Sequence, residues 1–119
     1  MKPSDGSTAQ TWTWDAALCG IVPPMISPLN QTGELDGDAL NVLIEHILGG
    51  GGSGLFILGG CGEGAWLTSG QRASVVRGTV WAASGRVPVL VGVMLPATGP
   101  AMDAARQAAD EGADALVVG

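Results

Sequence analysis

Residues 54–68, GLFILGGCGEGAWLT, hold the pattern on which the fold turns. Five largely apolar residues end abruptly in a glycine-rich turn, and Thr68-Ser69-Gly70-Gln71 then has the hydroxyl-x-x-amide form of a capping box that opens a helix. A buried strand passing through a tight loop into a helix is the βα half of a βαβ unit. In parallel α/β folds the loops at strand C-termini build the functional site, and glycines there let backbone N–H groups approach an anion.

The same alternation continues on both sides of this stretch. Upstream, Leu40, Leu43, Ile44, Ile47 and Leu48 form one apolar helical face, with Glu45 and His46 turned elsewhere. The glycine run from Gly49 stops that helix with a left-handed cap. Earlier still, 20–26 (GIVPPMI) reads as a strand, followed by a polar, turn-rich segment at 27–37. Downstream, the helix opened by the capping box carries Val75, Val76, Val80 and Trp81 before Gly85. Residues 87–93 (VPVLVGV) are continuously apolar, as a strand covered on both faces would be. A third helix spans 98–111, with Ala101, Ala104, Ala105, Ala108 and Ala109 as a small-residue face, and Ala115 to Val118 begins a fourth strand. Strand and helix alternate about every thirty residues, which predicts an α/β fold with parallel strands and right-handed crossovers. The organisation expected is a loosely packed tail over 1–15, anchored by Trp12 and Trp14, and one unit over 16–119. A bare apolar strand at the end reads as a fragment, with exposed edges that favour self-association.

Composition narrows the function. Of 119 residues 46% are hydrophobic and 13% charged, which suits a packed core rather than a disordered chain. A net charge of −6 with five basic residues argues against nucleic-acid binding. Two cysteines and one histidine are too few for an ordinary thiolate and imidazole zinc site, so neither a metal nor a cofactor is expected. Neither a signal sequence nor a membrane span is legible: the apolar run at 87–97 is about half the ~20 residues a spanning helix needs. A cytoplasmic protein is the expectation.

The stretches GIVPPMISPLNQTGELD (20–36), GLFILGGCGEGAWLT (54–68), GRVPVLVGV (85–93) and EGADALVV (111–118) together resemble the dihydrodipicolinate synthase / N-acetylneuraminate lyase family. The resemblance covers 20–118 and implies a TIM (β/α)8 barrel, of which this chain would supply about four strands and three helices. It further implies a class I aldolase-type lyase, a homo-oligomer when full length, that holds pyruvate or a related 2-keto acid as a Schiff base on a barrel lysine. The family's loop reads Gly-Thr-Thr-Gly-Glu or Gly-Ser-Thr-Gly-Glu, and its two middle residues hold the substrate carboxylate. Those positions are Gly60 and Cys61 here, so the substrate-binding residues implied are Gly60 and Cys61, acting through their N–H groups. The hydroxyl of the family's proton relay is missing at Gly60, and a Gly-Gly-Thr-Gly-Glu loop resembles the 5-dehydro-4-deoxyglucarate dehydratase branch. Lys2 is the one lysine, and there is no tyrosine. An iminium-forming enzyme needs an amine nucleophile in a dry pocket, which Lys2 on a polar tail would not provide. No catalytic residue is therefore assigned, and the chain alone is expected to be inactive.

Several other readings compete. A non-catalytic half-barrel that binds an anion or a partner is one rival, and a flavodoxin-like nucleotide domain is another. Residues 49–54 satisfy G-x-G-x-x-G, but they precede a strand instead of following one, so they read as a helix stop. Cys61 as a nucleophile lacks a visible base, because His46 lies on the first helix. Glu63 is expected to bond nearby backbone N–H groups, Trp66 and Trp81 to pack, and Asp36 and Asp38 to cap a helix rather than bind calcium.

Overall fold

The structure, a computed structural model, describes residues 10–119. Residues 1–9, most of the expected tail, lie outside the described residues. The elements run α1 (Trp14–Leu18), α2 (Gly37–Gly49), β1 (Leu55–Ile57), α3 (Ser69–Ala83), β2 (Val89–Val93), α4 (Thr98–Asp110) and β3 (Ala115–Val118). The strands form one parallel sheet in the order β1-β2-β3, with Leu55 opposite Val89 and Leu90 opposite Ala115. Parallel neighbours joined by helices are the arrangement that the alternating pattern predicts.

The expected first strand at 20–26 differs. It runs beside β1 but makes a single bridge, Pro24 with Phe56, flanked by Met25 N–H to Phe56 O (2.8 Å) and Phe56 N–H to Pro23 O (3.2 Å). Pro23 turns its carbonyl toward β1 and, being proline, has no N–H to donate on that same side. The ladder therefore stops there, although the segment holds a strand's place at the sheet edge. α1 was not legible as a helix. Thr13 caps it, with its side chain accepting from Ala16 N–H, and Ala17 is its buried residue.

Two helix starts follow the sequence closely. Asp36 Oδ1 accepts from Ala39 N–H at 3.0 Å at the head of α2. At the head of α3 both arms of the capping box form: Gln71 N–H donates to Thr68 Oγ1 (3.1 Å), and Thr68 N–H donates to Gln71 Oε1 (2.8 Å). Such caps satisfy helix N–H groups that have no intrahelical partner. α2 ends in the glycine run, where Gly51 takes the left-handed conformation at φ +92°.

Leu40 and Ile44 of α2, Val75, Val76 and Val80 of α3, and Leu55, Ile57, Val89 and Val91 of the sheet form the core. Each such side chain contributes about 1.5–3 kcal/mol on burial. Register places Phe56, Leu90 and Ala115 together on the opposite face of the sheet, where all three are half-buried. The outer strand is less covered. Leu116 is 41% exposed and Val118 74%, and of the alanine face on α4 only Ala108 is buried.

Trp66 and Trp81, expected to pack, are each 78% exposed. Successive helical residues point about 100° apart. Val80 therefore faces the core while Trp81 joins the outward side of α3 with Arg77, one turn earlier. Beside Trp66 it is Leu67 that enters the core.

Candidate functional site

The loop after β1 begins with a buried residue in an unfavourable conformation. Leu58 is 1% exposed with φ +59°, a left-handed backbone that non-glycine residues rarely adopt. The chain then folds back on Leu58 so tightly that three glycines surround its backbone. A Cβ at Gly62 would lie 2.7 Å from Leu58 N and 2.9 Å from Met25 O. One at Gly92, from the neighbouring strand, would lie 2.5 Å from Leu58 O, and one at Gly64 would collide with the same oxygen. Gly60 is different: no heavy atom lies within 4 Å of the position its Cβ would take. Gly62 and Gly64 are thus required by packing, whereas Gly60 opens onto free space.

Hydrogen bonds fix the rest of the loop. Glu63 N–H donates to Gly60 O (3.1 Å), closing a turn whose central residues are Cys61 and Gly62. Gly64 N–H donates to Gly59 O (3.2 Å) and Trp66 N–H to Glu63 O (2.9 Å). From outside the loop, Ser27 Oγ donates to Gly62 O at 2.7 Å, and Arg72 Nη1 donates to Leu67 O at 2.7 Å. Among the described residues no protein acceptor meets the N–H of Gly60 or Cys61. Both residues are exposed at the C-terminal end of β1, and the Cys61 thiol is free. Two unpaired N–H groups on a fixed turn can receive a carboxylate or phosphate oxygen.

The remaining candidates separate from this loop. His46 is exposed near the C-terminus of α2, which leads into the N-terminal end of β1, whereas Cys61 follows the opposite end. The structure does not assemble a cysteine–histidine pair. Glu63 was expected to bond backbone N–H groups through its carboxylate. Instead its side chain is exposed at φ +57° and makes no hydrogen bond among the described residues, while its main chain closes the turn. No group of three or more His, Cys, Asp or Glu residues that could hold a metal ion occurs among the described residues. Nor is any described helix long and apolar enough to cross a membrane.

An open groove of about 740 Å³ lies elsewhere, between the 29–35 loop and α3, lined in part by Leu35, Gln71, Ser74 and Trp81. Its one cationic side chain, Arg77, is already held by Glu111 through two hydrogen bonds of 2.9 and 2.7 Å. That pairing holds the Glu111 carboxyl below its usual range, and the Arg86 guanidinium does the same to Glu45. Both pairs serve the scaffold and lie outside the loop.

Sequence reasoning missed Ser27. It sits in a segment legible only as turn-rich, 35 residues before its acceptor, and no local spacing reports such a bond.

Comparison with known proteins places this loop in context. The sequence pattern of the dihydrodipicolinate synthetase family matches residues 17–118. The chain belongs to that family. Over 98 residues it is 38% identical to the probable 2-dehydro-3-deoxy-D-pentonate aldolase YjhH of Escherichia coli (strain K12), covering 82% of this chain and 33% of the relative. Over 104 residues it is 35% identical to the 4-hydroxy-tetrahydrodipicolinate synthase of Salinibacter ruber, covering 87% and 34%. Among solved structures, it superposes on YagE, an Escherichia coli K12 prophage protein of the family crystallised with pyruvate, with a TM-score of 0.79 at 32% identity. The match covers 83% of this chain and 33% of YagE. The dihydrodipicolinate synthase of Bacteroides thetaiotaomicron gives 0.78 at 40% identity, with the same coverage. The chain spans about a third of the length of these relatives. Its three parallel strands correspond to part of the barrel of these lyase and aldolase-type enzymes.

Proposed function

We propose that this chain supplies the keto-acid carboxylate-binding loop of a Schiff-base lyase, with the N–H groups of Gly60 and Cys61 as the donors. The observation that carries the proposal is the fixed, exposed turn at the C-terminal end of β1, whose two leading N–H groups meet no acceptor among the described residues. The pyruvate bound to YagE, a relative of the same fold, supports a 2-keto acid as the ligand. In the reaction proposed, a lysine amine attacks the ketone carbon and the carbonyl oxygen leaves as water. The resulting iminium takes up the electron pair of the bond between its α and β carbons as that bond breaks, leaving an enamine, while the β carbon departs as an aldehyde once its hydroxyl gives up its proton. The loop's part is to anchor the carboxylate, so that the ketone carbon is presented at a fixed distance from that amine.

The one lysine of this chain, Lys2, precedes every described element, and no tyrosine is present. The 119 residues alone are therefore proposed to bind a keto acid without turning it over. A sugar-derived keto acid is a second reading, favoured by Gly60. Its missing side chain leaves space where the family's hydroxyl would project, and the YjhH relative is named for a 2-dehydro-3-deoxy sugar acid.

The test is calorimetric titration with pyruvate and with methyl pyruvate, followed by borohydride treatment and mass measurement. Saturable binding of pyruvate alone, with no reduced adduct, is the expected result. Equal binding of the ester would remove the carboxylate from the recognition, and an adduct on Lys2 would overturn the assignment of inactivity.

A further inference from the structure

We infer that Ser27 is a positioning residue for the carboxylate loop, setting keto-acid affinity by fixing the peptide plane that joins Gly62 to Glu63. The inference rests on the reading of that loop as a carboxylate site.

The plane in question is held at both ends. Its carbonyl oxygen, Gly62 O, accepts from Ser27 Oγ at 2.7 Å, and its N–H, that of Glu63, donates to Gly60 O at 3.1 Å. A peptide plane pinned at one end can rotate about its neighbouring φ and ψ angles; pinned at both, it cannot. Its N–H holds Gly60 O, which shares a peptide plane with the Cys61 N–H, so its orientation bears directly on where the Cys61 N–H points; the Gly60 N–H lies in the preceding plane, held by the Gly64 N–H bond to Gly59 O. Gly62 has no side chain to restrict its backbone, so its conformation depends on close packing against Leu58 and Met25 and on this hydrogen bond. Glu63 stands at φ +57°, outside its preferred region, and adds a tendency to relax if the restraint is lost.

Ser27 is itself well anchored. The segment carrying it is bonded to β1 through Met25 N–H and Pro23 O, and Met25 O lies 2.9 Å from where a Gly62 Cβ would stand. The edge segment and the loop thus touch at two points, one steric and one a hydrogen bond. The half-buried setting of Ser27 limits competition from water, which keeps the bond effective. Directional donors recognise an anion well only when they are held in place beforehand, so loosening the turn weakens binding without removing any group that touches the ligand.

The experiment is pyruvate titration of the 119-residue chain and of Ser27→Ala, Ser27→Cys and Ser27→Thr, each with its thermal unfolding midpoint. Ser27→Ala is expected to bind pyruvate about tenfold more weakly, in line with the loss of one half-buried hydrogen bond. Ser27→Cys keeps the volume but donates poorly, so it should weaken binding with little change in midpoint. Should the alanine chain fail to fold, the cysteine chain carries the same expectation. Ser27→Thr retains the hydroxyl and should bind as the parent does. Parent-like affinity in Ser27→Cys, or a Ser27→Thr chain as weak as the cysteine chain, would overturn the inference while leaving the carboxylate reading intact. A parent chain that ignores pyruvate would overturn the carboxylate reading itself, and the role of Ser27 with it.

Discussion

At the scale of single residues, the loop after β1 uses its glycines for different purposes. Gly64 is fixed by contact with the Leu58 carbonyl, and Gly60 has open space around it. Gly64→Ala should therefore destabilise the chain by about 2 kcal/mol or more, as expected for overpacking against rigid backbone. Gly60→Ser should change stability by only about 0.5 kcal/mol, because an exposed substitution away from such contacts does little. Urea unfolding of both variants checks the pair; similar losses at both positions would show that the loop is packed differently. The sequence alone could not rank these glycines. All of them read as turn formers, and their distinction arises from Leu58, Met25 and Gly92, which come together only in the folded chain. Gly60 and Cys61 are named by resemblance to a family motif, and the contribution of the structure is their exposure and N–H groups that meet no acceptor among the described residues.

At the scale of elements, legibility followed how local the determining interactions are. The capping box at Thr68 and Gln71 and the Asp36 cap both form within three residues, and both are readable from spacing. Thr68→Ala should lower stability by about 1 kcal/mol, measurable as a shift in denaturant midpoint. The 20–26 segment reads as a strand by its apolar content, but the position of Pro23 relative to β1 decides whether a ladder forms, and that register is not local. The outward turn of Trp81 was missed for a related reason, since adjacency to Val80 says nothing about which face is covered. α3 also carries a conflict that no pattern reveals. Thr79 is fully buried, and its hydroxyl has no hydrogen-bond partner among the described residues. Removing an unsatisfied buried hydroxyl while keeping the shape should be favourable, so Thr79→Val is expected to stabilise the chain by about 1 kcal/mol. A destabilised valine variant would mean that the hydroxyl has a partner after all.

At the scale of the whole molecule, two properties follow from how the elements are assembled. Glu45 and Glu111, hydrogen-bonded to Arg86 and Arg77, have carboxyl groups held below the ordinary value of 4.5. A carboxylate that is a stronger acid in the folded chain contributes stability above its unfolded pKa and loses it as pH falls through the folded value. Stability should thus decline on acidification below the usual carboxylate range. The change should be modest because Arg77, Arg86 and Glu45 are largely exposed, and Glu111→Gln, which removes the less exposed carboxylate, should reduce the slope. Urea midpoints at neutral and acid pH give the comparison. The outer strand β3 leaves Leu116 and Val118 uncovered, and open apolar edges favour association. Val118→Lys should shift sedimentation of concentrated samples toward the monomer. The parallel α/β architecture itself was legible in the alternation of elements, whereas the uneven cover on β3 was not, because burial depends on neighbours that periodicity does not name. The central claim, that the β1 loop presents backbone donors to a keto-acid carboxylate, is tested most directly by amide chemical shifts during pyruvate titration of the isotope-labelled chain. Saturable shifts concentrated at the Gly60 and Cys61 amides are the predicted result. Unmoved amides at both residues, with pyruvate in large excess, would contradict it.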